Sequence, residues 1–219
     1  MARRLVVLAS GWAKQDFLWV PLAKRLEAAG YDTVCAHFPH NGFGPIEDSA
    51  EKIGCVIEEM RPFYEHLTFV GHSMGGLLGR FLVQHLEMDQ IDAYVSLGTP
   101  HNGTWLAWAG LWSHSARQMR VGSDFIRGLN ETPWPSKIPA MALQAQMEEI
   151  VLPQRHAEIS FGKNQVIPWT THVSLPLAWR TYAEIYGWLT YGVFGESGPH
   201  GYRGFSSSLS LAGGHDANE

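Results

Sequence analysis

Five consecutive residues, Gly71-His72-Ser73-Met74-Gly75, place a serine midway between two glycines. A strand-like apolar run precedes them and a helix-like run follows them, which is the strand-turn-helix context of a nucleophile elbow. The turn is so sharp that the residues two before and two after the serine must lack side chains, and Gly71 and Gly75 meet this requirement. The pattern predicts that Ser73 lies strained and exposed at the tip of the turn, ready to attack a carbonyl group.

Short apolar runs alternate with longer stretches of helical period, which indicates a parallel sheet covered on both faces. We predict strands near 4–10, 32–38, 67–71, 93–98, 138–144 and 164–168, and helices near 16–29, 46–62, 74–87, 153–160 and 175–193. The 219 residues suit one domain, over 1–194. The Gly- and Ser-rich segment 195–219 is expected to be a disordered tail.

Composition excludes several classes of partner. The formal net charge is -5 and no run of Lys or Arg occurs, so neither a nucleic acid nor an anionic membrane surface is expected. No apolar run reaches the roughly 18 residues of a transmembrane helix, and the run 5–9 is too short for a secretory signal. Cys35 and Cys55 are interpreted as buried thiols, which favours a cytoplasmic protein. No metal or nucleotide motif is visible, so no cofactor is expected.

Other stretches carry a family resemblance in addition to the elbow. They are Arg4–Trp12 (RLVVLASGW), Asp16–Tyr31 (DFLWVPLAKRLEAAGY), Ser96–Thr104 (SLGTPHNGT), and Glu148–Pro153 (EEIVLP) with Thr171–Ser174 (THVS). With them the chain resembles the serine esterases and lipases of the α/β-hydrolase superfamily. The resemblance implies a three-layer α/β-hydrolase fold, with a mostly parallel sheet of about six strands and helices on both faces. It would be a minimal form, because the family's N-terminal antiparallel strands have no counterpart here.

In this superfamily the catalytic residues follow one another in the order Ser, acid, His. The histidine is needed because a serine hydroxyl is a weak nucleophile near neutral pH. His172 lies between the last predicted strand and the last predicted helix, so the resemblance assigns it as the base. His156 follows the acid loop too closely in sequence to come from the next strand.

The acid is Glu148 or Glu149, because the loop after the fifth predicted strand offers no other carboxylate. The family pattern places the carboxylate two residues before an Ile-Val pair, and Ile150-Val151 therefore selects Glu148. Glu149 stays the alternative, and its simplest interpretation is a solvated turn residue.

An oxyanion formed during acyl transfer needs two hydrogen-bond donors. The resemblance assigns the backbone N–H groups of Met74 and Trp12 to this task. Ser10 stands where the family commonly has His before the Gly, which puts the geometry of this loop in doubt and leaves Ala13 as an alternative donor.

Residues 100–137 are too long for a plain connection, and we predict that they form a small cap over the site. The alternative is a crossover whose tryptophans belong to the core. We expect several tryptophans to form an apolar wall for an acyl chain, namely Trp105, Trp108, Trp112 and Trp169.

The sequence therefore predicts a serine carboxylester hydrolase of the lipase or esterase type, acting on a small acyl ester or lipid. Ser73, His172 and Glu148 would form the triad and an acyl-enzyme the intermediate. Acyl-thioesterase or acyltransferase activity on the same residues is an alternative, as is a retired hydrolase that serves as a binding module.

Overall fold

Six strands form one sheet in the computed structural model, which describes residues 3–11, 16–110 and 112–195. The strands are β1 (Arg4–Ala9), β2 (Asp32–Ala36), β3 (His66–His72), β4 (Ala93–Leu97), β5 (Ala140–Met147) and β6 (Lys163–Thr171). Their order is β2-β1-β3-β4-β5-β6, and every neighbouring pair is parallel. All strands therefore end at the same edge, where the loops that follow them meet.

Helices cover both faces of the sheet. They are α1 (Val20–Ala28), α2 (Ile46–Met60), α3 (Met74–Gln84), α4 (His114–Gln118), α5 (Asp124–Glu131) and α6 (Trp179–Gly187), which continues into a π-helical turn at Trp188–Val193. Short 3-10 turns lie at Asp16–Trp19, Pro39–Gly42, Arg61–Phe63, Trp105–Ala109, Gln154–Ala157 and Leu175–Leu177. The predicted architecture, a parallel sheet of six strands with helices on both faces, is confirmed.

Alternating side chains of the strands β1 to β5 pack into two separate hydrophobic cores. In β1, Leu5 and Val7 pack with the buried residues of α2, α3 and α5, whereas Val6 and Leu8 pack with those of α1 and α6. This is the result of the two-residue period of a strand between two layers of helices.

The predicted helix at 153–160 is wrong. The segment forms only the short turn Gln154–Ala157 before it leads into β6. Both backbone polar groups of Ile159 bond to the Asn164 side chain, at 2.9 and 2.7 Å, so they are not available to a helix. A side chain that bonds to the backbone in this way competes with helical hydrogen bonds.

The 100–137 segment contains α4 and α5, and its second part belongs to the core: Ile126 and Leu129 are fully buried with α3. The role of the segment as a cap stays a prediction. Cys55 is exposed and Cys35 half-buried, so the expected burial of both thiols is wrong. Apart from Gly195, the predicted tail lies outside the described residues. Among the helices of the described part, none combines the length and the apolar character that crossing a membrane requires.

Candidate active site

Three of the predicted site residues directly follow the ends of strands. Ser73 follows β3, Glu148 follows β5 and His172 follows β6. These strands lie side by side with β4 between the first two, so the parallel sheet brings the three loops together at one edge.

Ser73 occupies the elbow with a backbone that L-residues rarely adopt, at φ 55° and ψ -123°. A Cβ on Gly71 would collide with the backbone of Gly75, and one on Gly75 would collide with the Ala9 carbonyl. The Ser73 N–H donates to the Leu97 carbonyl at 2.8 Å, which ties the turn to the end of β4. The glycines are thus required by close backbone contact, as the sequence predicts, and the side chain of Ser73 is half-buried rather than fully exposed.

Glu148 and His172 form a buried pair. His172 Nδ1 lies 2.8 Å from Glu148 Oε1, and the exposed fractions of the two side chains are 6% and 1%. Glu148 Oε1 also accepts the backbone N–H groups of Ile150 and Val151, each at 3.0 Å. Because the carboxylate can only accept, Nδ1 of the histidine carries a proton in this bond, and Nε2 remains available to another group.

The backbone of His172 is held on both sides. Its N–H donates to Glu149 Oε2 at 3.0 Å, and its carbonyl lies 3.0 Å from His72 Nε2. Glu149 is exposed, but it is not merely a solvated turn residue, because it fixes the loop that carries His172. Sequence reasoning missed this role, since an exposed carboxylate beside a buried one has no distinctive pattern.

His72 is buried beside His172, with the ring centroids 4.7 Å apart. Burial, and then the neighbouring His172, lower the pKa of His72 to about 3. A neutral His72 donates its Nε2–H to the His172 carbonyl and so supports the loop of His172.

Gly98 and His72 both lie between the turn that carries Ser73 and the loop that carries His172. A Cβ on Gly98 would lie 3.1 Å from both His172 Nδ1 and Glu148 Oε2, and Gly98 directly follows the residue that accepts the Ser73 N–H. On the other side, His72 bonds the His172 backbone and directly precedes Ser73. The loops that carry Ser73, His172 and Glu148 therefore meet at the same edge of the sheet.

The predicted oxyanion donors are only partly described. Met74 begins α3, next to Ser73, and is buried, whereas Trp12 and the alternative Ala13 lie outside the described residues. Ser10 does have a structural role: its Oγ donates to Asp16 Oδ1 at 2.6 Å and accepts from Trp19 Nε1 at 3.0 Å. The Ser10 hydroxyl thus links the end of β1 to Asp16 and Trp19.

Beside Ser73 lies an apolar cavity of about 370 Å³, formed by the loops after β4 and β5 and by residues of the 100–137 segment. Among the described residues that line it, none has an ionisable side chain. A larger groove of about 710 Å³ lies elsewhere against the same segment, but it contains none of the predicted triad residues and is lined by charged side chains, among them Glu47, Arg117 and Asp124.

The four tryptophans that were expected to form an apolar wall lie in different places. Trp112 lines the 370 Å³ cavity, whereas Trp108 lines the larger groove, under the Arg120 guanidinium. Trp105 is exposed and its backbone N–H bonds to the Leu152 carbonyl. Trp169 is 81% exposed at φ 60°, an unusual backbone for a bulky residue, and its N–H donates to Gln146 Oε1. Only Trp112 therefore contacts the cavity beside Ser73.

Two buried polar residues were not expected from the sequence. His101 is buried with Nε2 2.9 Å from Ser96 Oγ, and burial lowers its pKa well below the usual value. Arg80 on α3 is buried as well, and donates to the Leu129 and His101 carbonyls and to Asn130. It ties α3 to α5. Within the described part of the chain, no group of three or more His, Cys, Asp or Glu side chains could hold a metal ion.

This parallel sheet with a serine elbow after β3 is the α/β-hydrolase fold, and comparison with solved structures agrees. The mature Bacillus licheniformis lipase BlEst2 superposes with a TM-score of 0.73 at 15% identity, over 86% of this chain and 91% of that one. Aspergillus fumigatus lipase B superposes at 0.65 and 19% identity, over 74% of this chain and 44% of that one.

Sequence comparison points to the same group of proteins. Residues 45–121 match a family model described as the PGAP1-like alpha/beta domain. Triacylglycerol lipase 2 of Saccharomyces cerevisiae is 28% identical over 97 residues, which are 41% of this chain and 29% of the yeast protein. The match thus spans less than a third of that lipase.

Proposed function

We propose that the protein is a serine carboxylester hydrolase that cleaves acyl esters through an acyl-enzyme. The observation that carries the proposal is the buried Glu148–His172 pair at 2.8 Å, at the same sheet edge as the elbow serine and the apolar cavity that Ser73 lines. A histidine with an orienting carboxylate, beside a serine on a strained turn, is the arrangement that activates a hydroxyl for acyl transfer.

In the first half of the reaction, His172 Nε2 takes the proton of Ser73 Oγ as this oxygen forms a bond to the ester carbonyl carbon. The imidazolium that results is stabilised by Glu148 through Nδ1–H. His172 then returns the proton to the leaving alcohol oxygen as its bond to the carbonyl carbon breaks, and the acyl group stays on Ser73.

In the second half, a water molecule replaces the alcohol. His172 removes a proton from the water as its oxygen attacks the acyl carbon, and then protonates Ser73 Oγ as the carboxylic acid leaves. Both halves pass through an oxyanion. We assign its donors as the Met74 N–H, at the positive end of α3, and the Trp12 N–H.

The substrate class follows from the cavity beside Ser73. A lining without ionisable groups favours an apolar acyl chain, and the resemblance to lipases supports a lipid or a simple ester as the substrate. The cytoplasmic location stays a prediction.

Reaction with a fluorophosphonate, followed by turnover of p-nitrophenyl butyrate, tests the proposal. Wild type should be labelled and active, and Ser73→Ala should lose both while keeping its circular dichroism spectrum, because Oγ is the only group that forms the covalent bond. Ser160→Ala, at an exposed serine, is the matched control and should behave as wild type. A wild-type protein that is folded but neither labelled nor active is instead a binding module, and the proposal fails.

A further inference from the structure

The cavity beside Ser73 is bounded by unusually small side chains. Within 105–119 its lining includes Ala107, Ala109, Gly110 and Ala116. Ala107 and Ala116 are buried, so the space exists because these positions have almost no side chain. Larger residues there would fill it, since protein interiors otherwise pack at high density.

The side of the cavity that Ala116 lines, helix α4 with the residue before it, is hydrogen-bonded to residues 42–46. Ser115 Oγ donates to the Gly42 carbonyl at 2.7 Å, and Ser113 Oγ to the Phe43 carbonyl at 3.2 Å. Gln118 Oε1 accepts the N–H of Ile46, at the start of α2, at 2.9 Å. Helix α4 is therefore tied to the segment before α2 along its whole length, and it holds Ala116 at a constant position.

The volume sets a scale for the occupant. An apolar cavity of about 150 Å³ holds one benzene molecule, so about 370 Å³ takes roughly fifteen carbon-sized atoms. Part of this space is open at the surface, and the ester group itself must stay at Ser73. An acyl chain of about eight to twelve carbons then fills the enclosed part.

We infer that the site selects uncharged acyl chains of medium length, and that Ala116 sets the upper limit. The inference rests on the proposed function and adds the substrate class to it. Charged acyl groups are disfavoured, because the described residues of the lining offer no ionisable partner and burial of an unpaired charge is costly.

Substitution of Ala116 gives a quantitative expectation. Ala116→Leu adds three carbons to the wall and so displaces about three methylenes of the acyl chain. Each buried methylene is worth about fourfold in binding, so kcat/KM for decanoate should fall about 60-fold. Acetate does not reach this part of the cavity and should change less than about twofold.

The experiment measures kcat/KM for p-nitrophenyl esters from acetate to palmitate. Wild type should be most active between octanoate and dodecanoate, and Ala116→Leu about three carbons lower, between about pentanoate and nonanoate. Ala28→Leu adds the same side chain at an exposed position of α1, away from the cavity, and should keep the wild-type profile. Met119, directly after α4, also lines the cavity, so Met119→Ala should enlarge it and shift the optimum to longer acyl chains. This variant tests whether the lining sets the chain length if Ala116→Leu does not fold.

Three results separate the possible failures. If wild type hydrolyses no ester, acetate included, the proposed function itself is wrong. If wild type hydrolyses acetate and palmitate equally well, the ester hydrolase stands and the medium-length selectivity is wrong. In the third case wild type prefers medium chains, but a folded Ala116→Leu variant keeps the same profile, and helix α4 then does not set the limit. Where Ala116→Leu does not fold, a folded Met119→Ala variant with an unchanged profile leads to the same conclusion.

Discussion

Replacing Glu148 by Gln is the most direct test of the proposed triad, because it removes the negative charge and keeps the size of the side chain. Glu148 Oε1 accepts three hydrogen bonds, from His172 Nδ1 and from the N–H groups of Ile150 and Val151. An amide oxygen in the same place can accept the same bonds. What is lost is the negative charge beside the imidazolium that forms during each proton transfer.

The size of the effect follows from burial. The exposed fractions of Glu148 and His172 are 1% and 6%, so water screens the pair weakly. Two unit charges about 4 Å apart interact by about 4 kcal/mol at an effective dielectric constant of 20. That energy corresponds to about 10³-fold, and we expect kcat to fall by about 10²- to 10⁴-fold. KM should change little, because the charge matters only once the imidazolium forms.

The assay is ester turnover under single-turnover and steady-state conditions, with the rate of fluorophosphonate labelling as a second readout. Glu149→Gln is the matched control, with the same chemical change one residue further along. Its amide oxygen can still accept the His172 N–H that Glu149 Oε2 accepts at 3.0 Å, so its rate should stay within about threefold of wild type. Equal and small losses in the two variants would refute Glu148 as the acid.

Local patterns predicted the sheet and the elbow because each has a strong physical cause. The two-residue alternation of β1 places Leu5 and Val7 in one core and Val6 and Leu8 in the other. The need for Gly71 follows from its contact with the backbone of Gly75, four residues away. Features of this kind depend on short stretches of chain, and the sequence alone contains them.

Contacts between distant segments could not be predicted in the same way. The burial of His101 depends on Ser96 and on Arg80 of α3, and the backbone bond of Glu149 depends on a loop 23 residues further on. The failed helix at 153–160 has a more local cause, because the side chain of Asn164, five residues further on, bonds to both backbone polar groups of Ile159. The residue pattern within one segment contains no signal that identifies such hydrogen-bond partners.

Two further predictions concern the groups that hold His172. Glu149→Ala removes the acceptor of the His172 N–H and should slow fluorophosphonate labelling about five- to twentyfold at unchanged Tm. Glu149→Gln keeps an acceptor and should restore the rate of labelling. Equal labelling rates in the two variants would contradict this role of Glu149. The last prediction concerns stability in acid. Burial and then His172 lower the pKa of His72 to about 3, against 6.5 in an unfolded chain. Between these values the unfolded state binds the proton and the folded state does not, so the free energy of unfolding falls as pH decreases through this window. From pH 7 to pH 5 His72 alone accounts for a loss of about 2 kcal/mol, measurable by urea unfolding at the two values. His72→Gln keeps a donor for the His172 carbonyl and cannot titrate, so its loss should be smaller by about the same 2 kcal/mol, while His37→Gln, at an exposed histidine, should match wild type. A His72→Gln protein that loses as much stability as wild type would show that His72 is not the buried neutral group described above.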